Sequence, residues 1–183
     1  IRSAKVVVLD GFLLGRAKLV RHILDAAERY GTVIALDVGS APIAAARAAE
    51  ISGYCEKYPL ILFMNQAEAE AFYCARRGAP GGSDCPDADE AEEVYAPLAA
   101  MTREDLFPII VVKRGDKGAL VFGGGDVHEA RTAAEVPFDA TGAGDAFAAG
   151  FLAAWIRSRS LSECADLGNR VAKEALRVPG TAL

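Results

Sequence analysis

Residues 138–151 constrain the fold of this chain more than any other stretch. They run from a loop of small residues straight into an apolar segment, with a single carboxylate, Asp145, at the junction. Gly142, Ala143 and Gly144 leave backbone N–H groups uncovered where a helix is expected to begin. At a helix start the first amides have no acceptor one turn back, and the helix dipole adds positive potential, so the position favours an anion. An anion-attracting turn that also carries its own carboxylate suits a general base working beside a phosphoryl group held by the backbone. The competing reading is a glycine-rich helix cap with a first-turn Asp, a common arrangement.

The rest of the chain alternates strand and helix patterns. Strands are expected at Lys5–Asp10, Thr32–Asp37, Leu60–Met64 and Ile109–Lys113, and a hairpin at Ala119–Phe122 and Val127–Ala130 around a Gly-Gly-Gly-Asp turn. Helical spacing predicts helices over Arg16–Tyr30, Ala41–Ile51, Gln66–Arg76, Ala88–Met101, Ala143–Arg157 and Leu161–Leu176. Gly78–Asp87, rich in Gly, Pro, Ser and Asp, reads as a surface loop. Strands separated by helices predict an α/β fold: a single domain over residues 1–183 with a mainly parallel sheet covered by helices on both faces. In such sheets ligands gather beyond the carboxyl ends of the strands, where Asp10, Asp37, Asn65 and Lys113 fall.

Composition narrows the function. The chain has 183 residues, 52% of them apolar, and a net charge of −5, a balance that argues against disorder and against a basic nucleic-acid surface. No apolar run reaches membrane-spanning length and no signal-peptide pattern opens the chain, so a cytoplasmic protein is expected. Cys55, Cys74, Cys85 and Cys164 match no zinc or redox spacing and are expected as reduced thiols; His22 and His128 have no metal-ligand spacing. Asn65 and Glu68 lie three apart at a strand-to-helix junction, on one helix face. Their oxygens could reach one water-ligated Mg²⁺. The alternative is a helix N-cap with a first-turn acid.

Asp139-Ala140-Thr141-Gly142-Ala143-Gly144-Asp145-Ala146-Phe147-Ala148-Ala149-Gly150 closely resembles the second signature of the PfkB (ribokinase-like) carbohydrate kinases. One position departs: Ala140 stands where Thr is commonest, and Thr141 keeps a hydroxyl one residue later. The resemblance implies a ribokinase-like fold and ATP-dependent phosphorylation of a sugar or sugar-acid hydroxyl, with Asp145 as the base and Gly142, Ala143 and Gly144 as the anion hole. Asn65 and Glu68 fit the family's Asn-x-x-Glu motif, which implies Mg²⁺. The segment from Val111 to Leu120 resembles the one that lies along the nucleotide phosphates, which assigns Lys113, Gly115 and Gly118 to ATP; its Lys113-Arg114-Gly115 run is similar to versions in kinases of ketoses and 2-keto-3-deoxy sugar acids. The stretch from Gly168 to Lys173, with the Val178–Leu183 loop, resembles the region that walls the adenine and lends carbonyls to a monovalent cation. That places Asn169 on the adenine side and Asp139 by the cation, K⁺. The family's first Gly-Gly signature, most of its sugar contacts and its β lid find no counterpart here, so that N-terminal portion is expected to lie before Ile1. A non-catalytic nucleotide-binding relic or regulatory subunit of the same fold is the alternative function, and a homodimer is left open. A nicotinamide oxidoreductase lacks support, because Val8-Leu9-Asp10-Gly11-Phe12 stands where a dinucleotide-binding glycine pattern would follow the first strand.

Overall fold

The computed structural model describes residues 1–78, 91–102, 108–133 and 138–177, with the backbone alone for 91–93. Most of the expected Gly78–Asp87 loop, Cys85, the start of the expected 88–101 helix and the 178–183 loop lie outside the described residues.

The chain is α/β. Six strands, β1 (Val6–Asp10), β2 (Val33–Asp37), β3 (Leu60–Asn65), β4 (Ile109–Lys113), β5 (Ala119–Gly123) and β6 (Asp126–Ala130), form one sheet in chain order. The helices are α1 (Ala17–Tyr30), α2 (Ala41–Ala46), α3 (Ala48–Lys57), α4 (Gln66–Arg76), α5 (Ala91–Met101), α6 (Ala143–Trp155) and α7 (Leu161–Ala175). β1, β2 and β3 are parallel, and their register sets Asp10 beside Asp37 and Asp37 beside Phe63 at the carboxyl ends. Consecutive residues of β2 and β3 are buried, so both faces of these strands are covered. β1 stands at the edge of the sheet and leaves Val8 63% exposed, with Phe12 just beyond it at 67%.

Two differences from the sequence pattern have local causes. A short 3₁₀ turn, Gly11–Gly15, follows β1, because the Asp10 carboxylate accepts the Phe12 N–H at 2.9 Å. The Ala-rich helix expected over Ala41–Ile51 is two helices, broken at Arg47 (φ −114°, ψ 12°), and the second reaches Lys57, with Ser52 Oγ donating to the Ala48 carbonyl.

The chain divides into two compact units: residues 1–112 with 122–126, and residues 113–121 with 127–183. In the first, α2 and α5 both pack on α4 around a core that includes Phe63, Phe72, Ile51 and Leu62. In the second, α6 packs along α7. Cys55 on α3 and Cys164 on α7 are free, buried thiols. Cys74 on α4 is disulfide-bonded, which corrects the expectation of four reduced thiols; sequence spacing does not say which cysteines a fold brings together. Among the described residues no helix is long and apolar enough to cross a membrane.

Candidate functional site: a nucleotide-sized cavity at the start of α6

The second unit holds a cavity of about 340 Å³. Three segments build it. The turn after β4 contributes Lys113, Gly115, Asp116 and Gly118; the exit of β6 contributes Thr132 and Ala133; α6 and α7 close it with Gly144, Phe147, Asn169 and Lys173. The lining is mostly apolar, with Ala143 and Phe147 facing Ala172 and Leu176, and a few charged groups at its margins. That is the make-up of a small-molecule site, apolar inside with a few charged groups.

The start of α6 is organised by the residues in front of it. The Asp139 carboxylate accepts the Thr141 N–H at 2.8 Å, which folds the loop. Gly142 is the N-cap, in the left-handed region at φ 79° with no side-chain cap bond, a conformation in which a Cβ is strained. The Ala143 N–H donates back to the Ala140 carbonyl at 3.3 Å. The amides left without an intrahelical acceptor are those of Gly144 and Asp145, second and third in the helix. Of the expected Gly142, Ala143 and Gly144 donors, Gly144 is among these. Asp145 is exposed in the first turn. A Cβ built on Gly144 would stand 3.3 Å from Lys113 Nζ, so the ammonium approaches the helix start as closely as a glycine there allows.

The opposite wall is equally tight. Gly118 (φ 81°) lies so close to Ala130 that a built Cβ would meet the Ala130 carbonyl oxygen at 2.0 Å. The same oxygen accepts from Asn169 Nδ2 at 3.0 Å. Since a carbonyl can only accept, Asn169 must turn its amide NH₂ toward it, and the side chain is held half-buried at the cavity wall.

The structure thus brings together Lys113, Gly115, Gly118, Ala143, Gly144 and Asn169 around one cavity, with Thr141, Gly142 and Asp145 in the same loop and first turn. Sequence reasoning missed Asp116, Thr132 and Lys173. Lys173 had a readable signal, since Asn169, Lys173 and Leu176 recur at helical spacing; Thr132 had none, because it reaches the site only through the return of β6.

Asn65 and Glu68 belong to the other unit. They form a reciprocal capping box at the start of α4: Asn65 Oδ1 accepts the Glu68 N–H, and Glu68 Oε2 accepts the Asn65 N–H, both at 2.9 Å. Asn65 Nδ2 also donates to Glu68 Oε1 at 2.9 Å, and Glu68 is 3% exposed. This is the N-cap alternative weighed from the sequence, with both carboxylate oxygens engaged. As arranged, the pair does not fit direct ligation of Mg²⁺. Among the described residues no group of three or more His, Cys, Asp or Glu could hold a metal ion.

The comparisons with known proteins agree with this architecture. A sequence model of pfkB family carbohydrate kinases matches residues 1–183. Cytidine kinase of Thermococcus kodakarensis is 44% identical over 71 residues, which are 38% of this chain and 26% of that protein. A probable sugar kinase from Rhizobium etli superposes with a TM-score of 0.80 at 25% identity, over 98% of this chain and 51% of its own. Adenosine kinase from Sinorhizobium meliloti does so with a TM-score of 0.78 at 24% identity, over 98% of this chain and 53% of its own. The chain therefore spans about half the length of these solved chains and about a quarter of the cytidine kinase. With the family match running over its whole length, the chain belongs to the pfkB family of carbohydrate kinases.

Proposed function

We propose that this chain carries the nucleotide-binding and base-catalytic part of an ATP-dependent phosphotransferase acting on a hydroxyl of a sugar, sugar acid or nucleoside. The observation that carries the reading is the opening of α6: two amides without acceptors, a lysine ammonium beside them and a carboxylate in the same turn, on a cavity with an apolar interior. The nucleoside is included because the similar proteins are a cytidine kinase and an adenosine kinase as well as a probable sugar kinase.

The chemistry asked of these residues is positioning and charge neutralisation rather than covalent catalysis. The acceptor hydroxyl gives its proton to the Asp145 carboxylate while its oxygen bonds to the γ-phosphorus of ATP. The bond to the β–γ bridging oxygen breaks, and ADP leaves with that electron pair. Donors from the Gly142–Asp145 turn stabilise charge on the transferred group, and Lys113 Nζ supplies a point charge to the phosphates. Gly115 and Gly118 let the backbone come close to them, and Phe147 and Asn169 face the base. Mg²⁺ normally accompanies ATP in such transfers. Asp139 as a holder of a monovalent cation remains part of the proposal, alongside the work its carboxylate does in folding the Thr141 turn.

The test is calorimetric titration with ATP and transfer from γ-labelled ATP to a panel of sugars, sugar acids and nucleosides. Asp145→Asn should lower the transfer rate by about 10²–10⁴-fold and leave ATP affinity nearly unchanged. A variant with near-normal rate overturns the base assignment. ATP binding with no transfer to any acceptor, in a protein that also carries the family's acceptor-binding portion, favours the non-catalytic alternative.

A further inference from the structure

We propose that Glu129, through its pair with Arg114, is the positioning residue that fixes the phosphate side of this cavity, a role that rests on the nucleotide reading of the site. Arg114 lies between Lys113 and Gly115, two residues of the wall. Its side chain is only 13% exposed, and its Nη2 donates to Glu129 Oε1 at 2.8 Å and to the Lys117 carbonyl at 3.3 Å. Its main-chain N–H donates to the Gly118 carbonyl at 2.7 Å. One arginine thus staples both ends of the Gly115–Gly118 turn. The buried Nε has no hydrogen-bond partner, and among the described residues Glu129 is the carboxylate paired with this largely desolvated guanidinium.

Glu129 acts on the opposite wall as well. Its Oε2 accepts from Arg131 Nε at 3.1 Å, and Thr132 and Ala133, next in sequence, line the cavity. Between them Ala130 turns its carbonyl to Asn169 and packs against Gly118. A single carboxylate therefore spans the turn that carries Lys113 and the strand exit that carries Thr132, and neighbours the carbonyl that orients Asn169. The Arg114 bond first and the Arg131 bond second hold the Glu129 carboxyl below the usual carboxylate range. Arg131 is 83% exposed on its side and contributes less.

Removing the charge should loosen the turn without removing any group that touches nucleotide. Calorimetric titration of the 183-residue chain with ATP should give a dissociation constant about tenfold weaker for Glu129→Gln. Glu129→Asp should recover part of the loss, Arg114→Lys should be intermediate, and Arg131→Ala should change little. Ser160→Ala, which removes the cap of α7 at the helix end away from Asn169, is the stability control; it should lower the melting temperature with ATP affinity unchanged. Wild-type ATP affinity in Glu129→Gln, or an equal loss in Ser160→Ala at matched stability, overturns the proposal. If Glu129→Gln does not fold, the Arg114→Lys and Glu129→Asp pair decides, and wild-type affinity in both overturns it. Failure of the unsubstituted chain to bind ATP at all overturns instead the nucleotide reading on which the proposal stands.

Discussion

Glu68 shows how one side chain answers to two demands. Its position in the family motif points to metal, while its hydrogen bonds make it the reciprocal half of a helix cap, buried to 3% exposure with both oxygens engaged by Asn65. Loss of a good cap costs on the order of 1 kcal/mol. Asn65→Ala is therefore expected to lower the unfolding free energy by about that much, read by urea denaturation, whereas Glu68→Gln keeps a side chain able to close the box and removes only the charge. A raised Mg²⁺ requirement for transfer in Glu68→Gln at wild-type stability would support the metal role. Lys113 differs from Glu68 in that its amine stands beside a helix start, where the dipole favours an anion.

At the scale of elements, the α6–α7 pair is packed as closely as glycine allows. A Cβ on Gly150 would lie 2.9 Å from both the Leu167 carbonyl oxygen and Val171 Cγ2, and one on Gly168 would lie 2.9 Å from the Phe147 ring. In an isolated helix Gly→Ala stabilises by up to about 1 kcal/mol. Here the sign should reverse: Gly150→Ala is expected to destabilise by about 1–3 kcal/mol, because the helices must part to admit the methyl. Denaturant unfolding of the two proteins checks this, and a stabilised variant would show that the helix contact yields freely. Phe147 sits in both the helix contact and the cavity wall, so the spacing of these helices also sets the shape of the site. This is also where the limits of the sequence lie. The start of α6 was legible because glycine, an Asp-initiated turn and an apolar helix are local chemistry, written within a dozen residues. The ends of β1, β2, β3 and β4 were legible for the same reason. The Arg114–Glu129 pair was not, because it joins residues fifteen apart across a hairpin and needs the register of β5 and β6 to be known. Nor was the break at Arg47, where an Ala-rich pattern conceals one residue outside helical φ/ψ that side-chain propensity does not encode.

At the scale of the whole chain, each compact unit contains, among the described residues, one buried free thiol: Cys55 in the first and Cys164 in the second. Burial pushes the Cys55 thiol up to about 12, and burial, with Glu163 adding repulsion, pushes Cys164 up to about 11. Neither can react as a thiolate until its surroundings open. Nature has thus placed a chemical clock in each half of the molecule, and the labelling rate with a chromogenic disulfide reads the opening free energy of each separately. ATP that binds between α6 and α7 should slow Cys164 by a factor approaching one plus the ratio of free ATP to its dissociation constant, and slow Cys55 less. Two rates that coincide and respond identically to ATP would mean that the units open only together. Distinct rates would mean that this chain breathes in two independent parts, and that nucleotide stills only one of them.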